Sequence, residues 1–271
     1  APYRDLMRRL VLWPTLGNHD VGRGGPAPWR DAFYTPANNA AQTEDYYSFD
    51  AGNVHVVVLN TNAGTKPGTA QATFLDQDLA ASTATWKVVV FHHTIYSSGT
   101  THGSSLTLRT NLVPVFDARK ADLVFMGHEH NYERTKPLKQ NQVVAPGLGT
   151  VYVTTGGGGK DVYPLGASSF TAYAESVHHF VRVHADGENL LVQMIRDDGS
   201  VGDTLSLAKG PSAPAPTCGD GLVNQPGETC DGLNRAACVD ACAPDCTCAP
   251  ACGDGRVDPA SEACDGTADA A

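Results

Sequence analysis

Three short polar clusters carry most of the chemistry this chain offers: Gly17-Asn18-His19-Asp20, His92-His93 and Gly127-His128-Glu129-His130. Each closes an apolar run, at residues 10–16, 86–91 and 121–126, that reads as a buried strand. Side chains on a strand alternate between faces, so residues i and i+2 point the same way. If strand geometry persists past Gly127, His128 and His130 project from one edge toward one point. In open α/β sheets, ligands sit beyond the carboxyl ends of the strands. Three such ends bearing Asn and His are what a metal centre with mixed nitrogen and oxygen donors requires. Imidazole suits zinc, iron, manganese and copper, and a neutral Asn oxygen favours a hard, multiply charged ion. Residues 1–217 contain no cysteine, so a thiolate site is excluded there.

Singly, each cluster has a plainer reading. Gly17-Asn18-His19-Asp20 fits a turn, because Gly and Asn favour such positions. His92-His93 fits one core and one surface histidine. The doublet His128/His130 is hardest to dismiss, since histidines at i and i+2 after a buried strand have little structural purpose. Together the three favour a metal site. His55 and His184 lie within strand patterns and read as structural. His178-His179 begins a late strand, either approaching the site or standing half-buried. Glu133-Arg134 fits an ion pair bracing the histidine loop, or an exposed pair. Gly156-Gly157-Gly158-Gly159-Lys160 lacks the phosphate-loop pattern and reads as a flexible turn. No Gly-x-Ser-x-Gly occurs, so a covalent serine mechanism has no support.

The segments "GNHD", "VVVFHHTIYSS" and "GHEHNYER" occur in the order and approximate spacing of the calcineurin-like metallophosphoesterases. The chain resembles the purple acid phosphatases among them most, over residues 10–207. That resemblance implies an αββα sandwich and two metal ions, iron paired with zinc, manganese or iron. It assigns Asn18, His92 and His128 to one ion and His130 to the other. It places His19 beside the phosphate as hydrogen-bond donor or general acid, with Asp20 as its partner. His102 matches a substrate-contacting histidine of some members, and fits an ordinary surface loop nearly as well. The implied reaction is attack of activated water on a small phosphate ester. A phosphodiesterase or nucleotide hydrolase of the same superfamily is the alternative, as is a non-catalytic cell-surface binding protein. Two earlier motifs, DxG and GDxxY, have no counterpart before Gly17. The expectation is therefore a chain that begins after them and alone binds metal weakly, with weak or no activity.

Around these clusters the elements alternate. Residues 53–61 and 149–159 read as further strands, 69–82 as a helix, and 104–120 as an amphipathic helix shortened or kinked by Pro114. Late strands fall near 178–184, 189–196 and 200–207. Strands alternating with helices predict an α/β core with more antiparallel character toward its end.

Composition divides the chain. All eight cysteines lie in residues 218–271, which carry 10 acidic and 2 basic residues. Residues 1–217 carry 19 acidic and 17 basic residues, so most of the net charge of −10 belongs to the tail. No basic footprint for nucleic acid exists there. No apolar run reaches the roughly 20 residues of a membrane span. The organisation read from this is a metallophosphoesterase domain at 1–207, a Pro/Ala-rich linker at 208–217 and a Cys-rich tail at 218–271. The tail repeats "CGDG" at Cys218 and Cys252, and the repeat suggests the pairs Cys218–Cys230 and Cys252–Cys264. Dense, even-numbered cysteines predict disulfides and export, with a secreted or cell-surface location. Asp220, Asn224, Glu228 and Asp231 recur as Asp254, Asp258, Glu262 and Asp265. Such oxygens are compatible with calcium or with a merely solvated acidic face. The tail resembles Cys-rich modules of secreted myxobacterial proteins, which implies attachment at a cell surface.

Overall fold

The computed structural model describes residues 8–22 and 25–209. These belong to the first of the two units into which the chain divides after Lys209. The expected disulfides and the calcium ligands of the tail lie outside the described residues.

Valine-rich runs make the sheet. After a short helix α1 (Ala27–Ala32) come β1 (Tyr47–Ala51), β2 (Val54–Val58), helix α2 (Ala70–Ala81) and β3 (Trp86–Phe91). Helix α3 (Leu106–Arg119) leads into β4 (Leu123–Met126) and β5 (Tyr132–Thr135). A small hairpin, β6 (Leu138–Lys139) and β7 (Gln142–Val143), precedes β8 (Val151–Thr155) and β9 (Thr171–Glu175). The three last strands are β10 (His179–Asp186), β11 (Asn189–Arg196) and β12 (Val201–Ala208).

Seven strands form one sheet in the order β1-β2-β3-β4-β8-β5-β9, and β10-β11-β12 form a second. Strands β2, β3, β4 and β8 are parallel neighbours, while β1, β5 and β9 run antiparallel to theirs. Alternation along the parallel strands gives each face its own core. Val57, Val89, Phe91 and Val124 meet Leu75 and Leu79 of α2 and Leu112 and Phe116 of α3. Trp86, Val88, Leu123 and Val153 meet Leu190, Val192 and Met194 of β11. The described residues thus build helix, sheet and sheet layers of the expected sandwich. Thr69 and Ser105 cap the two long helices, each hydroxyl accepting a backbone N–H three residues on. Helix α3 continues through Pro114 and is not shortened by it.

Two expectations need correction. Residues 10–16 form no strand. Pro14 lacks the N–H that a ladder needs. Side chains hold the segment instead: Tyr47 donates its hydroxyl to the Pro14 carbonyl (2.7 Å), and Thr15 donates to Leu59 O (3.1 Å). Nor do Glu133 and Arg134 pair with each other, because neighbours on β5 face opposite sides. Arg134 makes a bidentate pair with Asp203 of β12 (2.6 and 2.9 Å). Glu133 instead accepts the Ser98 N–H (2.6 Å) and the Thr171 hydroxyl (2.5 Å).

Candidate metal centre

The strand register delivers the histidines. Phe91 pairs with Met126, and the Gly127 N–H donates to His92 O at 2.9 Å, so both chains leave the sheet side by side. Beyond Met126 the strand geometry does not persist. His128 takes a left-handed φ of 67°, and two tight turns follow, Glu129 N to Gly127 O and Asn131 N to Glu129 O. His128 and His130 are therefore presented by a coiled loop and not by strand alternation. A left-handed histidine is uncommon and stores backbone strain, a feature that clusters at functional sites.

Asn18 arrives from the third cluster. The Asp20 carboxylate accepts the Gly17 N–H (2.8 Å), and Asp20 N donates to Gly17 O (3.1 Å), closing a turn that lifts Asn18 toward His92. A Cβ at position 17 would lie 3.1 Å from the His92 ring, which explains the glycine. His92 Nε2 lies 2.7 Å from Asn18 Oδ1 and 3.0 Å from His128 Nδ1. Asn18 and His128 thus both approach His92 Nε2.

A third ring joins them. One donor nitrogen each of His92, His93 and His128 lies within 4.8 Å of the others. His93 was present in the sequence only as half of a doublet, with nothing to separate a ligand from a bystander. Its Nδ1 is 2.8 Å from Thr61 Oγ1. Burial pushes the His92 imidazole down to about 3 and His128 down to about 4, helped in each case by the neighbouring imidazoles. His93 is lowered for the same reasons, burial first and His102 second. Neutral rings with lone pairs directed inward are the form that binds a cation. The donor set fits a metal ion: imidazole nitrogens and one amide oxygen.

The remaining residues divide. His102 is exposed and stacks on His128, centroids 3.9 Å apart and planes 26° off parallel. His130 stands apart from the cluster, its Nδ1 donating to Asp161 O (3.0 Å) and its ring stacked on Tyr163 (4.0 Å). That hydrogen bond leaves the lone pair of His130 on Nε2. Tyr163 also meets His102 edge-on and is a wall of the site that no sequence pattern singled out. His19 and Asp20 are both exposed, and no hydrogen bond joins them among the described residues. Asp20 instead serves the Asn18 turn. His179 is structural, with Nε2 3.0 Å from Thr155 Oγ1 and Nδ1 2.9 Å from Val177 O. His178 lies on the Gly157 carbonyl (3.2 Å), and His184 is exposed on β10. An open hollow of about 790 Å³ lined by Trp13, Arg30, Tyr34 and Glu44 contains none of these histidines.

Known proteins share this architecture. Residues 2–132 match the calcineurin-like phosphoesterase family, and residues 149–204 match the family described as iron/zinc purple acid phosphatase-like protein C. "Probable inactive purple acid phosphatase 1" of Arabidopsis thaliana is 28% identical over 227 residues, 73% of this chain and 36% of the relative. A "Nucleotide pyrophosphatase/phosphodiesterase" of Hordeum vulgare is 26% identical over 220 residues, 72% of this chain and 59% of the relative. The structure of a purple acid phosphatase from yellow lupin (Lupinus luteus) seeds superposes with a TM-score of 0.65 at 27% identity, over 72% of this chain and 38% of that one. The chain spans little more than a third of the length of the Arabidopsis relative and of the lupin enzyme.

Proposed function

From a calcineurin-like phosphoesterase segment at 2–132 followed by a purple acid phosphatase-like segment at 149–204, we propose that this chain is part of an exported metal-dependent phosphomonoesterase. The observation that carries the reading is the meeting of Asn18 and His128 on His92, each within hydrogen-bond distance of its Nε2. These residues would hold one ion and His130 the other, iron with zinc, manganese or iron. Ions at such sites polarise phosphoryl oxygens and make water nucleophilic at neutral pH. The chain's own groups then complete the site. His102 and Tyr163 wall it, and the exposed His19 imidazole can donate a hydrogen bond to a phosphate oxygen or a proton to a departing alkoxide. Half-buried His92 and His128 stay neutral well below pH 7, keeping their nitrogens available to cations.

Export, disulfides in the tail and attachment to a cell surface belong to the same proposal and rest on the eight cysteines of residues 218–271. So do the boundaries at 1–207, 208–217 and 218–271.

The test is hydrolysis by the intact protein supplied with metal, comparing 4-nitrophenyl phosphate with its bis ester. Preference for the monoester supports the proposal. Preference for the diester supports a phosphodiesterase, the reading favoured by the barley relative. Hydrolysis of neither from acid to alkaline pH supports a binding protein, the reading favoured by the relative named inactive.

A further inference from the structure

We propose that His93 is a metal ligand, so that one ion is held by four neutral donors: Asn18 Oδ1 and the imidazoles of His92, His93 and His128. The occupant would be a late first-row divalent ion, which nitrogen-rich sites prefer. The inference rests on the metal-centre reading and extends it by a residue that the family resemblance does not assign.

Ring geometry separates ligands from bystanders. His92, His93 and His128 form a near-equilateral triangle, with centroids 5.0 Å (92–93), 4.9 Å (92–128) and 4.7 Å (93–128) apart. Each pair is tilted edge to face, by 79°, 68° and 61° respectively. In-plane lone pairs of rings so arranged can converge on one point. His102 shows the contrasting case, lying flat on His128 at 26°, where in-plane lone pairs run side by side and do not meet.

Thr61 sets the ring. It follows β2, and the Leu59 N–H donates to Val90 O (2.9 Å), so the register carries Thr61 alongside His93. The His93 backbone N–H donates to Thr61 Oγ1 (3.2 Å), and the same oxygen lies 2.8 Å from His93 Nδ1. A hydroxyl oxygen has two lone pairs, so it can accept both N–H groups. Nδ1 then carries the proton and Nε2 the lone pair. Metal-bound histidines are held in this way, with the second ring nitrogen donating to an oxygen that fixes tautomer and orientation. No hydrogen bond occupies Nε2 of His93 among the described residues. Three imidazoles and one oxygen are also the donor count of a tetrahedral zinc site.

The experiment observes the ring nitrogens directly. The full chain is labelled with [¹⁵N]histidine, titrated with Zn²⁺ and followed by long-range ¹H–¹⁵N correlation, with each ring assigned through single His→Gln variants. Thiolate-bound zinc in residues 218–271 does not register on imidazole nitrogens. One nitrogen of each of His92, His93 and His128 should move to the metal-bound position. His93→Gln should weaken zinc about 10–100-fold in competition with a chelator, and Thr61→Val, which keeps the imidazole, should weaken it in the same direction. Zinc-dependent shifts at His92 and His128 with His93 unmoved would overturn the assignment of His93 and leave the metal centre standing. No shift at any of the three would overturn both.

Discussion

The carboxyl group of Glu129 fills the notch beside Gly99, where a Cβ would collide with it. From that notch Oε1 accepts the main-chain N–H groups of His102 (2.5 Å) and Gly103 (2.6 Å). Glu129 is wholly buried between the two loop histidines, so one side chain ties the His128–His130 loop to the loop carrying His102. Gly99→Ala should destabilise by about 1–3 kcal/mol through overpacking. The reading is a lower chemical-denaturation midpoint with unchanged slope. Glu129→Gln keeps a carbonyl acceptor and should be milder than Glu129→Ala, which takes the acceptor from two part-buried donors at about 1–3 kcal/mol. Equal losses for Gln and Ala would mean that the acceptor is not what holds the loop.

The second sheet is pinned to the first by Arg134 and Asp203, whose side chains are 15% and 7% exposed. Tyr132 adds its hydroxyl to the same carboxylate at 2.8 Å. Asp203→Ala leaves a buried guanidinium without its partner and should cost roughly 3–5 kcal/mol. Replacing both, as Arg134→Met with Asp203→Leu, should recover much of that loss, because an apolar pair of similar volume needs no desolvated charge. A double variant as unstable as the single one would sink this account.

Legibility followed periodicity. The buried strands β2, β3, β4 and β8 announce themselves by runs dominated by apolar, mostly β-branched or aromatic residues, and α2 and α3 by their spacing. Strand β5, Tyr132-Glu133-Arg134-Thr135, was not legible, because its polar residues are satisfied by tertiary partners. Each of these, Glu133 with Ser98 and Thr171, and Arg134 with Asp203, lies 35 or more residues away in sequence. Residues 10–16 failed in the opposite direction: apolar enough for a strand, but interrupted by Pro14. At the site, His92 and His128 were readable as polar residues at strand ends, and Asn18 as part of a polar cluster after an apolar run that turned out not to be a strand. His93 and Tyr163 were not, since their membership depends on which way a ring turns after the chain leaves the sheet.

Zinc should stabilise the folded chain, because a site formed only on folding binds N and not U. At a free concentration 100 times the dissociation constant the gain is about 2.7 kcal/mol. It is read as a rise in Tm that a chelator reverses. Asn18→Ala and His128→Ala should each abolish most of that rise while leaving the metal-free Tm nearly unchanged, since both side chains are only half-buried and lie outside the two hydrophobic cores. A zinc-dependent rise that survives both substitutions would place the binding elsewhere in the chain.

His55 gives the fold a pH dependence of its own. Its Nε2 lies 2.7 Å from Asp78 and its Nδ1 2.8 Å from Asp50. The hydrogen bond to Asp78 is the largest influence and raises the imidazole above its ordinary 6.5, against burial, with Asp50 adding to the rise. The folded state therefore binds this proton more tightly than the unfolded chain. The stabilisation is complete below about pH 6.5 and disappears as pH climbs through the higher folded value. Asp78 is 22% exposed and Asp50 70%, so the Asp78 pair should supply most of an effect of about 1–2 kcal/mol. The Tm gap between the native chain and His55→Gln should thus be widest near pH 5.5 and narrow on the alkaline side. The half-buried His92 and His128 act in the opposite direction, losing stability on acidification, but they are common to both proteins and cancel in the difference. A gap that widens with rising pH would show that His55 is held neutral, with the two carboxylates serving only as hydrogen-bond acceptors.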